Sequence, residues 1–173
     1  MKTKTLLSLL FLAKICIGQV SLEIKNFEWT EHSTENFSIP YPNKWELSIE
    51  KTMGTSFIIL TPQEDKNDNF RENVNLIIQD ISRYNLNLDS YTALSIEQIK
   101  NLIPNSKLEI SKRYENFHEV VYTGQQGKFN LKFKQRYWII EGRAYVLTFT
   151  TEQKTWDTYL NIGNKILEGF KIN

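Results

Sequence analysis

Residues Lys128 to Tyr137 place charged or amide side chains at even positions and large apolar ones at odd positions, with Gln135 as the exception. A period of two describes an extended strand with one face turned to a core. Trp138 to Ile140 prolongs the run, Glu141-Gly142-Arg143 turns the chain, and Ala144 to Thr150 is a second run rich in branched and aromatic residues. So short a connection joins antiparallel neighbours, because a parallel pair needs a crossover of a dozen residues or more. Upstream, Lys107 to Tyr114 and His118 to Thr123 read as two further strands, the first with Leu108 and Ile110 on one face, and Gly124-Gln125-Gln126-Gly127 leads into Lys128. Four strands in a meander commit the chain to an antiparallel sheet.

The remaining segments say what covers that sheet. Phe37-Ser38-Ile39 reads as a short strand stopped by Pro40-Tyr41-Pro42-Asn43. Trp45 to Glu50 alternates strictly, with Trp45, Leu47 and Ile49 expected toward the core, and pairs as a hairpin with Ser56 to Thr61. Val74 to Ile81 is a further strand. Residues 89–103 predict a helix capped by Asp89, with Tyr91, Leu94, Ile99, Leu102 and Ile103 along its buried side and Pro104 at its end. Residues 152–168 predict a closing helix carrying Trp156, Tyr159, Leu160, Gly163, Ile166 and Leu167, with a Thr150/Gln153 capping box and Gly169 as its C-cap. The expected fold is α+β, an antiparallel sheet of about six to seven strands packed with helices.

At 173 residues, 13% of them aromatic, the chain is sized for one domain with a substantial core. Residues 1–18 read as a signal peptide: Lys2 and Lys4, an apolar run from Leu6 to Ala13, then small residues up to Gly18. The run is far short of the ~20 residues that a membrane-spanning helix needs. Cleavage after Gly18 gives a processed domain of residues 19–173 beginning at Gln19, exported to the periplasm or the exterior. Cys16 offers a second reading as a lipidated residue, although Ile15 stands where such signals carry Gly or Ala. Removing residues 1–18 takes away three Lys and no acid, leaving 18 basic residues against 20 acidic ones, so the net charge moves from +1 to −2. That balance argues against nucleic acid as a partner. The only Cys leaves with the signal, so the processed chain forms no internal disulfide.

Four segments, in order, resemble the PsbP-like family. They are Phe37-Ser38-Ile39-Pro40-Tyr41-Pro42-Asn43-Lys44-Trp45, Phe70-Arg71-Glu72-Asn73-Val74-Asn75-Leu76, Gly142-Arg143-Ala144-Tyr145-Val146-Leu147-Thr148-Phe149-Thr150, and Leu167-Glu168-Gly169-Phe170, where the family usually carries Ser in place of Gly169. The resemblance spans nearly the whole processed chain. It implies an α/β/α sandwich, and a non-enzymatic role in binding a partner protein or assisting an assembly. The family's manganese-cluster role is not carried over, because no residue here matches it.

The residues themselves supply no catalytic constellation, cofactor motif or metal motif. His32 and His118 stand in no ligand spacing. Asp65-Lys66-Asn67-Asp68-Asn69-Phe70 has alternating oxygen donors, but Phe70 replaces the calcium loop's Gly and Leu76 its Glu. It lies in a polar loop from Pro62 to Asn73, long enough to suggest a function. Lys128, Lys132, Lys134 and Arg136 share one strand face that ends in Trp138. Those five residues are the candidate binding site, for an envelope protein or an anionic surface. The competing reading is a solubilising face balanced by Glu on neighbouring strands. A carrier of a small apolar ligand between sheet and helix is the alternative function, and an enzyme the third.

Overall fold

The computed structural model describes residues 27–51, 54–66 and 68–173. The expected signal peptide, Cys16 and the expected cleavage site lie outside the described residues. Ten strands and two helices follow in the order β1 (Trp29–Ser33), β2 (Phe37–Pro42), β3 (Glu46–Ser48), β4 (Thr55–Leu60), β5 (Asn73–Asp80), α1 (Leu88–Leu102), β6 (Lys107–Arg113), β7 (His118–Gln126), β8 (Phe129–Ile140), β9 (Arg143–Glu152), α2 (Trp156–Gly169) and β10 (Lys171–Ile172). Seven strands form one antiparallel sheet in the order β3-β4-β5-β9-β8-β7-β6, and β1-β2-β10 form a second. The fold is α+β, as the meander required.

The β8–β9 turn shows how the sequence sets the register. Glu141 and Gly142 have φ of 48° and 73°, the backbone of a two-residue hairpin whose twist matches its strands. The register then runs unbroken from Ile140 opposite Arg143 to Leu131 opposite Glu152. Gln135, the exception to the alternation, sits in regular register opposite Thr148. The irregularities fall instead between Thr55 and Phe57 and between Leu108 and Ile110. The second of these puts Leu108 opposite Tyr122 and Ile110 opposite Val121, so the two occupy opposite faces and Ile110 is 45% exposed.

The two helices cover opposite halves of the large sheet. The chain crosses from β5, third in the sheet, to β6 at its far edge, and α1 is that crossover. It therefore lies on β7 and β8, over a core that includes Tyr91, Ile99, Val120, Tyr122, Tyr137 and Val146. On the other face, α2 and the small sheet close a larger core of Phe37, Ile39, Phe57, Leu76, Phe149, Ile162 and Ile166 over β4, β5 and β9. Two glycines permit this approach. A Cβ on Gly163 would stand 2.5 Å from the Phe149 ring, and one on Gly169 would stand 2.2 Å from Pro40 Cγ. Gly169 is thus a contact residue. The residue after it, Phe170, is extended at φ −66° and buried, so no left-handed C-cap forms.

Several local expectations are corrected. β2 continues through both prolines to Pro42. Pro40 and Pro42 are two apart, so their missing N–H groups fall on the same side, away from β1, and β10 pairs only with Phe37 and Ser38. β3 stops at Ser48, which leaves Ile49 62% exposed. The cap of α1 is Asn87, reciprocally bonded with Ser90, while Asp89 pairs with Arg113. Leu94 and Leu102 stand exposed and Leu88 is buried in their place. Thr150 belongs to β9, and a 3-10 turn over Gln153–Thr155 leads into α2 without a side-chain cap.

Candidate binding face

Because α2 packs over β4, β5 and β9, it reaches only the near edge of β8 on that face, and the same face of β7 and β6 has no helix on it. The even positions of β8 point there. Lys132, Lys134 and Arg136 stand in a row, and each is tied to a neighbour. Lys132 Nζ lies 2.7 Å from Glu109 Oε2. Lys134 Nζ and Arg136 Nε meet the same oxygen, Glu119 Oε2, at 3.2 Å and 2.9 Å. Lys134 also donates to Asn164 Oδ1 of α2 at 3.0 Å. The Glu119 side chain is only 8% exposed, and those of Lys134 and Arg136 are 13% and 11% exposed. These three charges therefore sit in a shielded network, where each depends on the others for solvation.

Aromatic rings frame the row. Lys132 lies over Trp156 at 4.7 Å and Arg136 over Phe117 at 4.8 Å. Phe117 stacks on Tyr114 with ring centres 4.5 Å apart and continues through Trp138 to Phe170. Trp138 is half-buried in this chain of rings. Lys128 stands apart at the β7–β8 turn, exposed, with Nζ over the Phe129 ring at 5.2 Å. Of the five candidate residues, the fold brings Lys132, Lys134, Arg136 and Trp138 together and leaves Lys128 outside.

Sequence reasoning did not single out Glu109, Glu119, Asn164 or Phe117, and it placed Ile110 on the same face as Leu108. Glu119 was within reach of it. Once the turn at Gly127 fixes the hairpin, counting back pairs Glu119 with Arg136. Glu109 was not, because the bulge after Leu108 sets which way it points. The exposed outer part of the face is supplied by β6, where the exposed Lys107 and Lys112 are opposite Thr123 and Glu119 and Lys112 Nζ lies over the Tyr114 ring at 4.8 Å. Ile110 lies between them.

The long polar loop makes a second polar site beside the start of α2. Asp68 accepts from the backbone N–H groups of Glu64 and Phe70, and Asp65 Oδ1 accepts from Asp68 N. These carboxylates shape the loop. Among the described residues, no group of His, Cys, Asp and Glu side chains is placed to hold a metal ion. Glu72 is 5% exposed and accepts from Thr155 Oγ1 at 2.6 Å. Burial pushes its pKa above the ordinary 4.5, and the nearby Glu64 and Asp68 add to the effect. The folded state thus holds this proton more tightly than the unfolded chain. The stabilisation is present below pH 4.5 and is lost as pH rises through the folded value. Glu72→Gln keeps an acceptor for Thr155 and removes the charge. It should raise the thermal midpoint at about pH 8 and give no gain at about pH 4. A gain of the same size at both would place the effect elsewhere than in the carboxyl group.

His118 Nε2 lies 2.8 Å from Ser111 Oγ at the sheet edge, and burial lowers its pKa. Among the described residues, no helix is long and apolar enough to cross a membrane.

No family model and no curated protein matches the sequence. Solved structures do. The chain is similar to the solution structure of a cyanobacterial PsbP (CyanoP) from Synechocystis, at 16% identity over 91% of this chain and 96% of that one, with a TM-score of 0.63. It is similar to LpqN of Mycobacterium tuberculosis, described as involved in cell envelope biogenesis, at 16% identity over 86% and 92% of the two chains, with a TM-score of 0.60. A protein of unknown function from Pseudomonas aeruginosa matches at 14% identity over 81% and 94%, with a TM-score of 0.54. At these identities the likeness is one of fold, and the fold is PsbP-like.

Proposed function

We propose that this chain is an exported, non-enzymatic protein of the cell envelope that binds an acidic segment of a partner protein on the open face of β6, β7 and β8. One observation carries the reading. The face is fixed in shape by its own ion pairs and rings, and it still carries surplus positive charge. Glu109 and Glu119 answer only part of the charge of Lys132, Lys134 and Arg136, while Lys107 and Lys112 add two exposed cations. A pre-ordered surface loses little side-chain entropy on binding, and charge of one sign selects a partner of the other. Export is supported by the order of residues 1–18, and an envelope setting by the likeness to LpqN. The role in protein binding or assembly follows from the PsbP-like fold by analogy alone.

The test separates folding from binding. Lys107 and Lys112 are exposed, so the Lys107→Glu, Lys112→Glu double variant should change stability by no more than about 0.5 kcal/mol. The processed chain is used as bait on an envelope extract, and its N-terminal mass reads the cleavage near Gln19. The wild type should retain a partner that the double variant loses and that high salt releases, since exposed charges are screened within about 10 Å at 0.1 M. Equal retention by both proteins would exclude this face. Sedimentation with anionic vesicles but no retained protein would replace the protein partner with a lipid surface.

A further inference from the structure

On the opposite face of the sheet, α1 covers β7 and β8 and stops short of β5, leaving a hollow of about 230 Å³ between the helix and β5, β9 and β8. None of the side chains lining it is charged. Ile77, Val146 and Ile99 give it an apolar floor, and Leu102, 75% exposed, forms its rim. Its polar side chains are Gln79, Tyr91, Ser95, Gln98, Gln135 and Tyr137, all neutral, and bonding fixes the direction of most of them. Tyr91 Oη donates to Gln79 Oε1 at 2.6 Å, which leaves the Gln79 amide N–H groups free to donate. Tyr137 Oη donates to Gln135 Oε1, and Gln135 Nε2 donates to Thr148 Oγ1 at 3.1 Å. Burial raises the pKa of both tyrosines, so they stay neutral. A second hollow, of about 400 Å³, shares Leu102 and Ile103 with the first and runs on past Pro104 to Phe133.

We propose that this hollow binds an uncharged small molecule with an apolar body and a single hydroxyl or carbonyl head, the head accepting from the Gln79 amide and the body lying on Ile77, Ile99 and Leu102. The volume suffices, since an apolar cavity of about 150 Å³ already accepts benzene. The selection for neutrality follows from the lining. A carboxylate or ammonium entering here leaves water and meets no opposite charge. The free amide donors choose an acceptor oxygen over a plain hydrocarbon. The adjoining hollow gives a longer chain somewhere to continue. This site lies across the sheet from the partner-binding face, so neither reading depends on the other.

The probe is 1-hexanol, with hexanoate as its charged counterpart, titrated into the isotopically labelled protein and followed by amide resonances. Hexanol should give saturable shifts at the Gln79 side-chain amide and along Ile99 to Ile103, and hexanoate at equal concentration should give none. Ser95 lines the hollow from α1. Ser95→Leu should fill the space and abolish the shifts. Gln79→Glu keeps an acceptor for Tyr91 and removes the amide donors, so it should weaken hexanol at least fivefold in a protein that stays folded. Shifts that do not saturate, equal shifts with hexanoate, or undiminished binding in a folded Ser95→Leu protein would each overturn the proposal.

Discussion

Replacing Glu119 by Ala should destabilise the protein by about 3–5 kcal/mol, the scale for removing one partner from a buried ion pair. The carboxylate joins Lys134 and Arg136 through one oxygen, in a place where all three side chains are nearly excluded from water. Without it, two cations face each other with only Asn164 and the Phe117 ring to hold them. Replacing the whole trio with apolar residues of similar size (Glu119→Leu, Lys134→Met, Arg136→Met) should cost far less, because the desolvation penalty leaves with the charges. Urea denaturation of both variants reads the difference. If the single variant keeps the wild-type midpoint, the network is hydrated and the face is softer than described.

Trp45→Ala should cost about 3–5 kcal/mol, as for loss of a large buried aromatic. Trp45 is 5% exposed, meets Tyr159 of α2 edge-on at 6.3 Å, and fastens the start of β3 to the main core. Periodicity alone predicts Trp156 to be as buried as Trp45, but the structure does not treat the two alike. Trp156 opens α2, is half-buried, and lies against Phe149 on one side and beneath Lys132 on the other. Trp156→Ala should therefore cost roughly half as much, since the loss scales with the apolar area removed from water. Equal denaturation shifts for the two variants would contradict this placement.

The parts of the fold that were legible are those fixed by local rules. Alternation and the Glu141-Gly142 turn determine β8 and β9, and their register fixes which side chains face which helix. The apolar steps of residues 156–167 locate α2. What was not legible depends on neighbours distant in sequence. Pro40 and Pro42 read as a turn because a strand with prolines needs an open edge, and that edge comes from how little β10 covers. Leu102 lies at the rim of the hollow and Leu94 on the turn of α1 away from Leu88, Thr92 and Ile99, so both stay exposed although the apolar spacing included them. The basic row was visible residue by residue. Its neutralisation by Glu109 and Glu119 required the order of three strands and a bulge. Of the residues lining the hollow beneath α1, only Gln135 stood out, as the break in the β8 alternation, and Gln79 and Ser95 carry no signal until the crossover brings them together.

The most direct measurement of the partner-binding reading is photo-crosslinking from Ile110. This side chain is 45% exposed and opposite Val121, between Lys107 and Lys112 on the open face. A photoreactive residue placed there, in the full chain expressed in living cells, should give one discrete crosslinked product carrying a second, acidic protein. The product should fade in the Lys107→Glu, Lys112→Glu background, and a control probe at Glu97, on exposed α1, should not form it. No product from Ile110, or the same products from both positions, would contradict the assignment of this face.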